Sequence, residues 1–264
     1  MSTVVEMEIN GSVALLMLRV PPINALDENA LQELLEAVDK TERDDNVRVV
    51  IFASGINGIF CAGGDLKYWP RSYPSDARAV STAGRKVFSR IEELTKPTVA
   101  AIQGRVIGDG LSLALACDIR LASPDSTFRL PELDYGFIPG WGAIGRLVEV
   151  VGRPATTELL LVGEEIDAAR AQAIGLVNQV VASDDFSSFA GSLAERIAAK
   201  PPMALRYAKA ALRGDCADPS RHQSEWELSC FRAVWGSQEW KEGIAGFFGA
   251  KEAPGATKRN RAWK

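Results

Sequence analysis

Two short apolar runs, each followed by a glycine-rich turn, restrict the possible folds of this chain more than any other feature. The first run is "VRVVIFAS" at 47–54, followed by "FCAGGDL" at 60–66. The second is "PTVAAI" at 97–102, followed by "GRVIGDGLSLALACD" at 104–118. Apolar runs of this length predict buried strands, and the pattern of 108–116 predicts a helix directly after the second turn. The sequence therefore predicts an α/β core.

Further elements follow from turn and capping signals. Alternating residues at 4–9 and 13–19 around Asn10-Gly11 predict a hairpin, and Asp27 is expected to cap a helix that runs to about Arg43. Helices are predicted at 76–95, 142–151, 154–162 and 167–174, and strands at 118–123 and 176–181. From Asp184 onward the pattern is almost purely helical, with helices at 185–199, 202–213, 219–235 and 237–249.

Pro201-Pro202 suggests a boundary between a core at 1–200 and a helical C-terminal region at 201–264. The C-terminal region has aromatic residues on more than one face of its helices. They are Trp226, Phe231, Trp235, Trp240, Phe247 and Phe248. A region this short cannot bury them alone, so we expect it to pack on the core or on another copy of the chain.

Composition excludes several classes of protein. The chain has 264 residues, 47% of them hydrophobic, and a net charge of −4, which disfavours nucleic-acid binding outside the basic segment 251–264. Its four cysteines lack metal-like spacing, and His222 is the single histidine, so no metal site or histidine triad is expected. The N-terminus resembles no secretion signal, and polar residues interrupt the apolar segment 97–117. We therefore expect a cytoplasmic protein that does not span a membrane.

Two glycine turns and one acidic residue could carry chemistry. Backbone N–H groups are free at such turns, and two turns that each follow a buried strand suggest two donors that converge on one oxygen. Glu132 lies between two leucines after a proline, so burial could raise its pKa into the range of a proton carrier. The alternatives are ordinary turns that need positive φ and a surface acid at an edge segment.

The whole chain resembles the crotonase (enoyl-CoA hydratase/isomerase) superfamily. The resemblance rests on an ordered set of stretches: "PPINALDENALQELLEAVDKTERDDNVRVVIFAS", "FCAGGDLK", "KPTVAAIQGRVIGDGLSLALACDIRLAS", "FRLPELDYGFIPGWG", "AQAIGLVNQVV" and "EGIAGFF". It implies a spiral of ββα units with a helical C-terminal region that forms a trimer, sometimes paired into a hexamer. It also implies an acyl-CoA thioester as substrate, with coenzyme A as part of that substrate and no metal, flavin or nicotinamide.

The resemblance assigns roles by position. The N–H groups of Gly64 and Asp109 would polarise the thioester carbonyl, and the Asp109 side chain is expected to point away from that oxygen. Contacts to the substrate would come from a set of neighbouring residues: Ala25, Leu26, Ala62, Asp65, Leu66 and Lys67. Segment 66–74, with Trp69 and Tyr73, would form the wall beside the acyl group. A bulky Trp141 would shorten or flatten the acyl site, although it could equally be a packing residue.

One departure from the family pattern bears on the reaction. Two glutamates flank the substrate in the hydratases of this family; one corresponds to Glu132, but Ser112 stands at the position of the other. A further family acid, found in dienoyl isomerases and the dehalogenase, would fall at Gly140. A single carboxylate favours Δ3 to Δ2 isomerisation of an enoyl-CoA, or hydratase-like chemistry in which Ser112 holds a water. The alternatives are an acyl-CoA decarboxylase, a thioester or carbon–carbon hydrolase, and a non-catalytic binding protein.

Overall fold

The computed structural model of the protein describes residues 4–69, 77–213 and 223–247. The strands are β1 (Val5–Asn10), β2 (Val13–Leu18), β3 (Ala25–Leu26), β4 (Val49–Ser54), β5 (Ile59–Cys61), β6 (Gly63–Gly64), β7 (Thr98–Ile102), β8 (Arg105–Ile107), β9 (Ile119–Ala122), β10 (Thr127–Arg129), β11 (Ile166–Asp167) and β12 (Gln179–Val180). The helices are α1 (Glu28–Arg43), α2 (Ala77–Glu92), α3 (Asp109–Leu115), α4 (Ala143–Leu161), α5 (Ala168–Ala173), α6 (Phe186–Ala198), α7 (Pro202–Arg213), α8 (Gln223–Val234) and α9 (Gln238–Phe247). Short 3-10 helices cover Glu132–Tyr135 and Ser183–Asp185.

From β4 to β10 the strands, apart from β6, alternate between two sheets, which gives the fold its spiral. One sheet has the order β1-β2-β4-β7-β9-β12, and the other has the order β11-β10-β8-β5. The pairs β4 and β5, β7 and β8, and β9 and β10 each place one strand in each sheet, and each pair then leads towards a helix. The expected spiral of ββα units with a helical C-terminal region is therefore confirmed.

The larger sheet is apolar on both faces because both faces are covered. Alternate residues of β4, such as Val50 and Phe52, join a core with α1 and α2, whereas Val49 and Ile51 join a second core with α6. Strands buried on both sides lose the alternation of polar and apolar residues. This explains why 47–54 reads as a continuous apolar run.

The local predictions hold, with one strand shorter than predicted. The hairpin pairs Val5 with Leu18, and Asp27 caps α1 by accepting from the Ala30 N–H at 2.8 Å. The helices predicted at 142–151 and 154–162 are confirmed as the two halves of α4, separated by the non-helical backbone of Gly152 with φ +74°. The strand predicted at 176–181 shortens to β12 because the N–H groups of Leu176 and Val177 close the end of α5 by donating to the Ala171 carbonyl.

The first glycine turn contains a short strand. Gly63 and Gly64 pair in parallel with Ala25 and Leu26, and a helical turn follows in which the N–H groups of Tyr68 and Trp69 donate to the Asp65 carbonyl. This two-stranded ladder anchors the turn to the segment that precedes α1, and so fixes the backbone of Gly64.

The C-terminal region meets the core through an ion pair whose lysine is buried. Lys209 of α7 lies 2.8 Å from the carboxylate of Asp118, and only 6% of the lysine side chain is exposed. Phe231 of α8 and Trp235, the residue after this helix, are more than half exposed, and Phe248 lies outside the described residues. The domain boundary at Pro201-Pro202 and the role of this region in trimer formation stay predictions. Within the described ranges, no helix is long and apolar enough to cross a bilayer.

Candidate active site

A cavity of about 660 Å³ opens where β6, α3 and the short helix at Glu132–Tyr135 meet. It brings together most of the residues that the sequence singled out: Ala25, Ala62, Gly64, Asp65, Leu66, Lys67, Trp69, Asp109, Glu132 and Trp141. These residues come from five separate parts of the chain. The sequence predicted the set, and the fold places the members around one space.

Leu26 is the exception among the predicted contact residues. Its side chain is fully buried in the hydrophobic core and does not line the cavity. Its carbonyl accepts hydrogen bonds from the Asp65 N–H at 3.0 Å and from the Trp69 indole at 2.8 Å. Leu26 therefore holds two residues of the cavity wall in place and does not itself line the cavity. Tyr73 lies outside the described residues.

The first glycine turn directs one N–H group away from its partner strand. Since the Asp65 N–H donates to β3, and neighbouring N–H groups on a strand point to opposite sides, the Gly64 N–H points away from β3. Gly64 itself lines the cavity. This orientation is that of a donor to a group bound in the cavity.

The two glycine turns touch each other. Gly63 has φ +79°, and a Cβ added there would lie 2.8 Å from the Asp109 nitrogen and 2.9 Å from the Ile107 carbonyl. Asp109 is the first residue of α3, so its N–H has no acceptor within the helix. The absence of a side chain at Gly63 thus allows two backbone donors, at Gly64 and Asp109, to lie on adjoining segments.

The Asp109 side chain is held by its own hydrogen bonds. Its Oδ1 accepts from the Ser112 hydroxyl at 2.7 Å and from the Trp141 N–H at 3.2 Å. Burial raises the pKa of this carboxyl, while these hydrogen bonds and the Arg146 charge oppose the rise. Ser112 is fully buried and does not line the cavity, so the hydroxyl serves Asp109 and does not face a bound molecule.

Glu132 is buried, so the interpretation as a surface acid is wrong. Its side chain lines the cavity although only 3% of the residue is exposed. A Cβ on Gly108 would lie 2.8 Å from Glu132 Oε1, and Oε2 has no hydrogen-bond partner among the described residues. Burial raises the pKa of Glu132 to about 7, with a further rise from the charge of Asp109. A carboxyl of this kind can both accept and return a proton near neutral pH.

Aromatic rings form one wall of the cavity. The Trp141 indole donates to the Val80 carbonyl at 3.0 Å, and its ring meets that of Trp69 edge-on with centroids 5.9 Å apart. Trp141 therefore packs against α2 and also lines the cavity, whereas its effect on an acyl group stays a prediction. Lys67 is exposed at the rim of the cavity, and no ion pair to it is seen among the described residues.

Two residues that position the site escaped the sequence analysis. Asn24 is fully buried with φ +51°, and its amide nitrogen donates to the Phe60 carbonyl at 3.0 Å and the Ser54 hydroxyl at 2.8 Å. Gly84 lies inside α2, where its missing side chain admits the Trp141 ring. A glycine within an otherwise regular helical pattern was the available signal for this close approach.

The described residues offer neither a metal site nor an activated thiol. They contain no cluster of three or more histidine, cysteine or acidic side chains suited to a metal ion. Burial raises the pKa values of Cys61 and Cys117 to about 12, so both thiols are protonated at neutral pH. Cys216 and His222 lie outside the described residues. Glu132 is thus the described group best suited to proton transfer in this cavity.

Comparison with known proteins identifies the family. The family described as enoyl-CoA hydratase/isomerase matches residues 8–254. An Arabidopsis thaliana protein named probable enoyl-CoA hydratase 2, mitochondrial, is 37% identical over 85% of this chain and 74% of its own length. The short-chain-enoyl-CoA hydratase of Clostridium acetobutylicum is 30% identical over 97% of this chain and 98% of its own length. The crystal structure of an enoyl-CoA hydratase from Bacillus anthracis superposes with a TM-score of 0.88 at 30% identity, covering 93% of this chain and 96% of that chain. This chain belongs to the enoyl-CoA hydratase/isomerase family and has the crotonase fold.

Proposed function

We propose that this protein shifts the carbon–carbon double bond of an enoyl-CoA thioester from the Δ3 to the Δ2 position, with Glu132 carrying the proton. The observation that supports this most directly is the buried Glu132 carboxyl, whose Oε2 has no partner among the described residues and whose pKa is raised to about 7. It lies over Gly108, next to the backbone donor at Asp109.

The proposed reaction needs only one proton-carrying group, Glu132, which acts first as a base and then as an acid. The Glu132 carboxylate removes a proton from C2 of a 3-enoyl-CoA, and the electron pair moves through the carbonyl onto the thioester oxygen. The N–H groups of Gly64 and Asp109 stabilise this enolate; such donors contribute roughly 3–4 kcal/mol each in other enzymes. Glu132 then returns the proton to C4, the double bond forms between C2 and C3, and no atom is gained or lost.

Hydration of a 2-enoyl-CoA is the second candidate, and two observations favour it. The curated relatives described above are named enoyl-CoA hydratases. In addition, the charge of the Asp109 carboxylate reaches Glu132 and raises its pKa, so a second acid lies near Glu132 although Ser112 replaces the second glutamate. Two carboxylates could hold and split one water, as hydration requires.

Purified protein assayed with 3-enoyl-, 2-enoyl- and malonyl-type CoA thioesters distinguishes the reactions. Isomerisation converts 3-enoyl-CoA to 2-enoyl-CoA, and hydration yields a 3-hydroxyacyl-CoA, so chromatography of the products separates them. Release of free CoA or loss of carbon dioxide would instead point to a hydrolase or a decarboxylase. Tight binding of thioesters without turnover, or full activity of Glu132→Gln, would overturn the proposal.

We also propose that the protein forms trimers, alone or in pairs. The exposed rings of Phe231 and Trp235, tilted against each other with centroids 5.0 Å apart, support this because such aromatic area is costly to leave in water. Light scattering of the purified protein measures the mass directly. A mass near that of one chain would refute the proposal.

A further inference from the structure

The indole of Trp141 lies between the middle of α2 and the cavity, next to the α2 residues Ala77, Val80 and Ser81, which also line the cavity. The residue is only 3% exposed, and its Nε1 donates to the Val80 carbonyl of α2 at 3.0 Å. A Cβ on Gly84 would overlap the ring atoms Cγ and Cδ2 of this indole. The ring therefore lies directly on the backbone of α2, and only a glycine at position 84 leaves room for it.

The opposite edge of the indole reaches the proposed donor. Its Cη2 lies 3.2 Å from the point where a Cβ on Gly64 would stand. Trp69 and Phe88 meet the ring from two further directions, each with ring centroids 5.9 Å from it. The indole is thus enclosed by α2, Gly64 and two aromatic rings.

The backbone of Trp141 is fixed as well. Its N–H donates to Asp109 Oδ1 at 3.2 Å, and its carbonyl accepts from Arg146 at 3.3 Å. Arg146 is held in turn by the carboxylate of Glu92 at 2.7 Å. Since both the ring and the backbone are anchored, the indole cannot swing aside to admit a longer molecule without breaking these contacts.

We propose that Trp141 and Gly84 together limit the length of the acyl group, so that the protein acts on short-chain acyl-CoA thioesters. This rests on the proposed function, because Gly64 marks where the thioester oxygen would bind. An acyl chain that extends from this oxygen towards α2 meets the indole within its first few carbons. Gly84 sets how deeply the indole sits, and the indole closes the part of the cavity between Gly64 and Gly84.

The test measures kcat/KM of the full-length protein on 2-enoyl- and 3-enoyl-CoA thioesters of four, six, eight, ten and twelve carbons. We expect the wild type to prefer the shortest members, with a loss of roughly tenfold or more once the chain reaches the indole. Trp141→Ala should raise kcat/KM on the ten-carbon thioester by roughly tenfold or more, and Trp141→Phe by less. An unchanged length profile in both variants would overturn the inference, as would a wild type that is indifferent to length.

Trp226→Ala is the matched control. Trp226 also donates its indole N–H to a backbone carbonyl, that of Ala210, but it does not line the cavity. This variant should keep the wild-type length profile. If Trp226→Ala shifts the length profile as Trp141→Ala does, the shift comes from general destabilisation of the protein and the inference is wrong.

Binding of saturated acyl-CoAs of the same lengths, measured by calorimetry, separates failure of the inference from failure of the proposed function. If no thioester is turned over but binding still weakens with length and recovers in Trp141→Ala, the proposed function fails and the length limit stands. If turnover occurs and neither rate nor binding depends on position 141, the length limit alone fails.

Discussion

Ser112 donates its hydroxyl to Oδ1 of Asp109 at 2.7 Å, across one turn of α3. Position 112 is where the two-glutamate pattern of the family places its second acid, yet the serine is buried and turned onto the carboxylate three residues earlier. Position 112 therefore does not present its own side chain to the cavity. It orients the Asp109 carboxylate, whose charge raises the pKa of Glu132.

We expect Ser112→Ala to lower the free energy of unfolding by about 1 kcal/mol, because a buried acceptor loses a partner. The pKa of Asp109 should rise further, since the Ser112 hydroxyl now lowers it. Urea denaturation at neutral pH measures the change in stability. Thr157→Ala is the control, because that hydroxyl also donates a hydrogen bond, to the Arg153 carbonyl, but is exposed; its change should stay within about 0.5 kcal/mol. Equal effects of the two variants would contradict the buried role of Ser112.

Glu132→Gln should reduce kcat of the proposed reaction by roughly a hundredfold to ten-thousandfold, the usual contribution of a positioned acid or base. Because Glu132 must start as the carboxylate, the wild-type kcat/KM should rise with pH through about 7, the raised pKa of this group. Rates measured from about pH 5 to pH 9 test this. A rate that does not change with pH across this range would show that another group carries the proton.

The same carboxyl should make stability depend on pH. Its pKa is about 7 in the folded protein against 4.5 for the unperturbed group, so its penalty is absent well below pH 4.5, grows as pH rises, and is complete above about 7. Glu132→Gln should therefore gain stability relative to the wild type as pH rises from about 5 to about 8, by at most on the order of 3 kcal/mol. Parallel melting curves at the two pH values check the sign. A gain that is larger at the lower pH would contradict burial as the cause.

Gly84→Ala should destabilise the protein by about 1–3 kcal/mol, although alanine favours helices, because the new methyl would overlap the Trp141 ring. Gly84→Ala added to Trp141→Ala should cost much less, since the overlapping ring is then gone. The four proteins of this double-mutant cycle are compared by urea denaturation. Additive effects would show that the two residues do not press on each other.

Lys209→Met should lower the free energy of unfolding by about 1–3 kcal/mol, because it removes a buried partner of Asp118 and leaves that carboxylate with its bonds from Thr98. The loss should appear first as earlier opening of α7, which hydrogen exchange measures. Arg170→Met is the control, because its ion pair with Glu158 has a similar distance but is exposed; its effect should stay below about 1 kcal/mol. If Lys209→Met lowers the free energy of unfolding no more than the control does, the ion pair does not anchor α7.

Local signals in the sequence predicted most of the elements. Asn10-Gly11 fixed the hairpin, Asp27 fixed the start of α1, and the apolar runs fixed β4 and β7, because turn residues, caps and period act over a few residues. Boundaries failed where a distant partner intervened. Gly63 and Gly64 became a strand because β3 lies beside them, a contact that nothing near residue 63 in the sequence reveals.

The sequence alone determined the family, the two glycine turns and the identity of Glu132 as the candidate acid. Only the tertiary structure decided that Glu132 is buried over Gly108, that Ser112 serves Asp109, and that Leu26 lies in the core. It also decided that the Trp141 indole rests on Gly84. The physical reason is that burial, pKa and cavity shape depend on which distant segments meet, whereas turns and caps depend on neighbours along the chain.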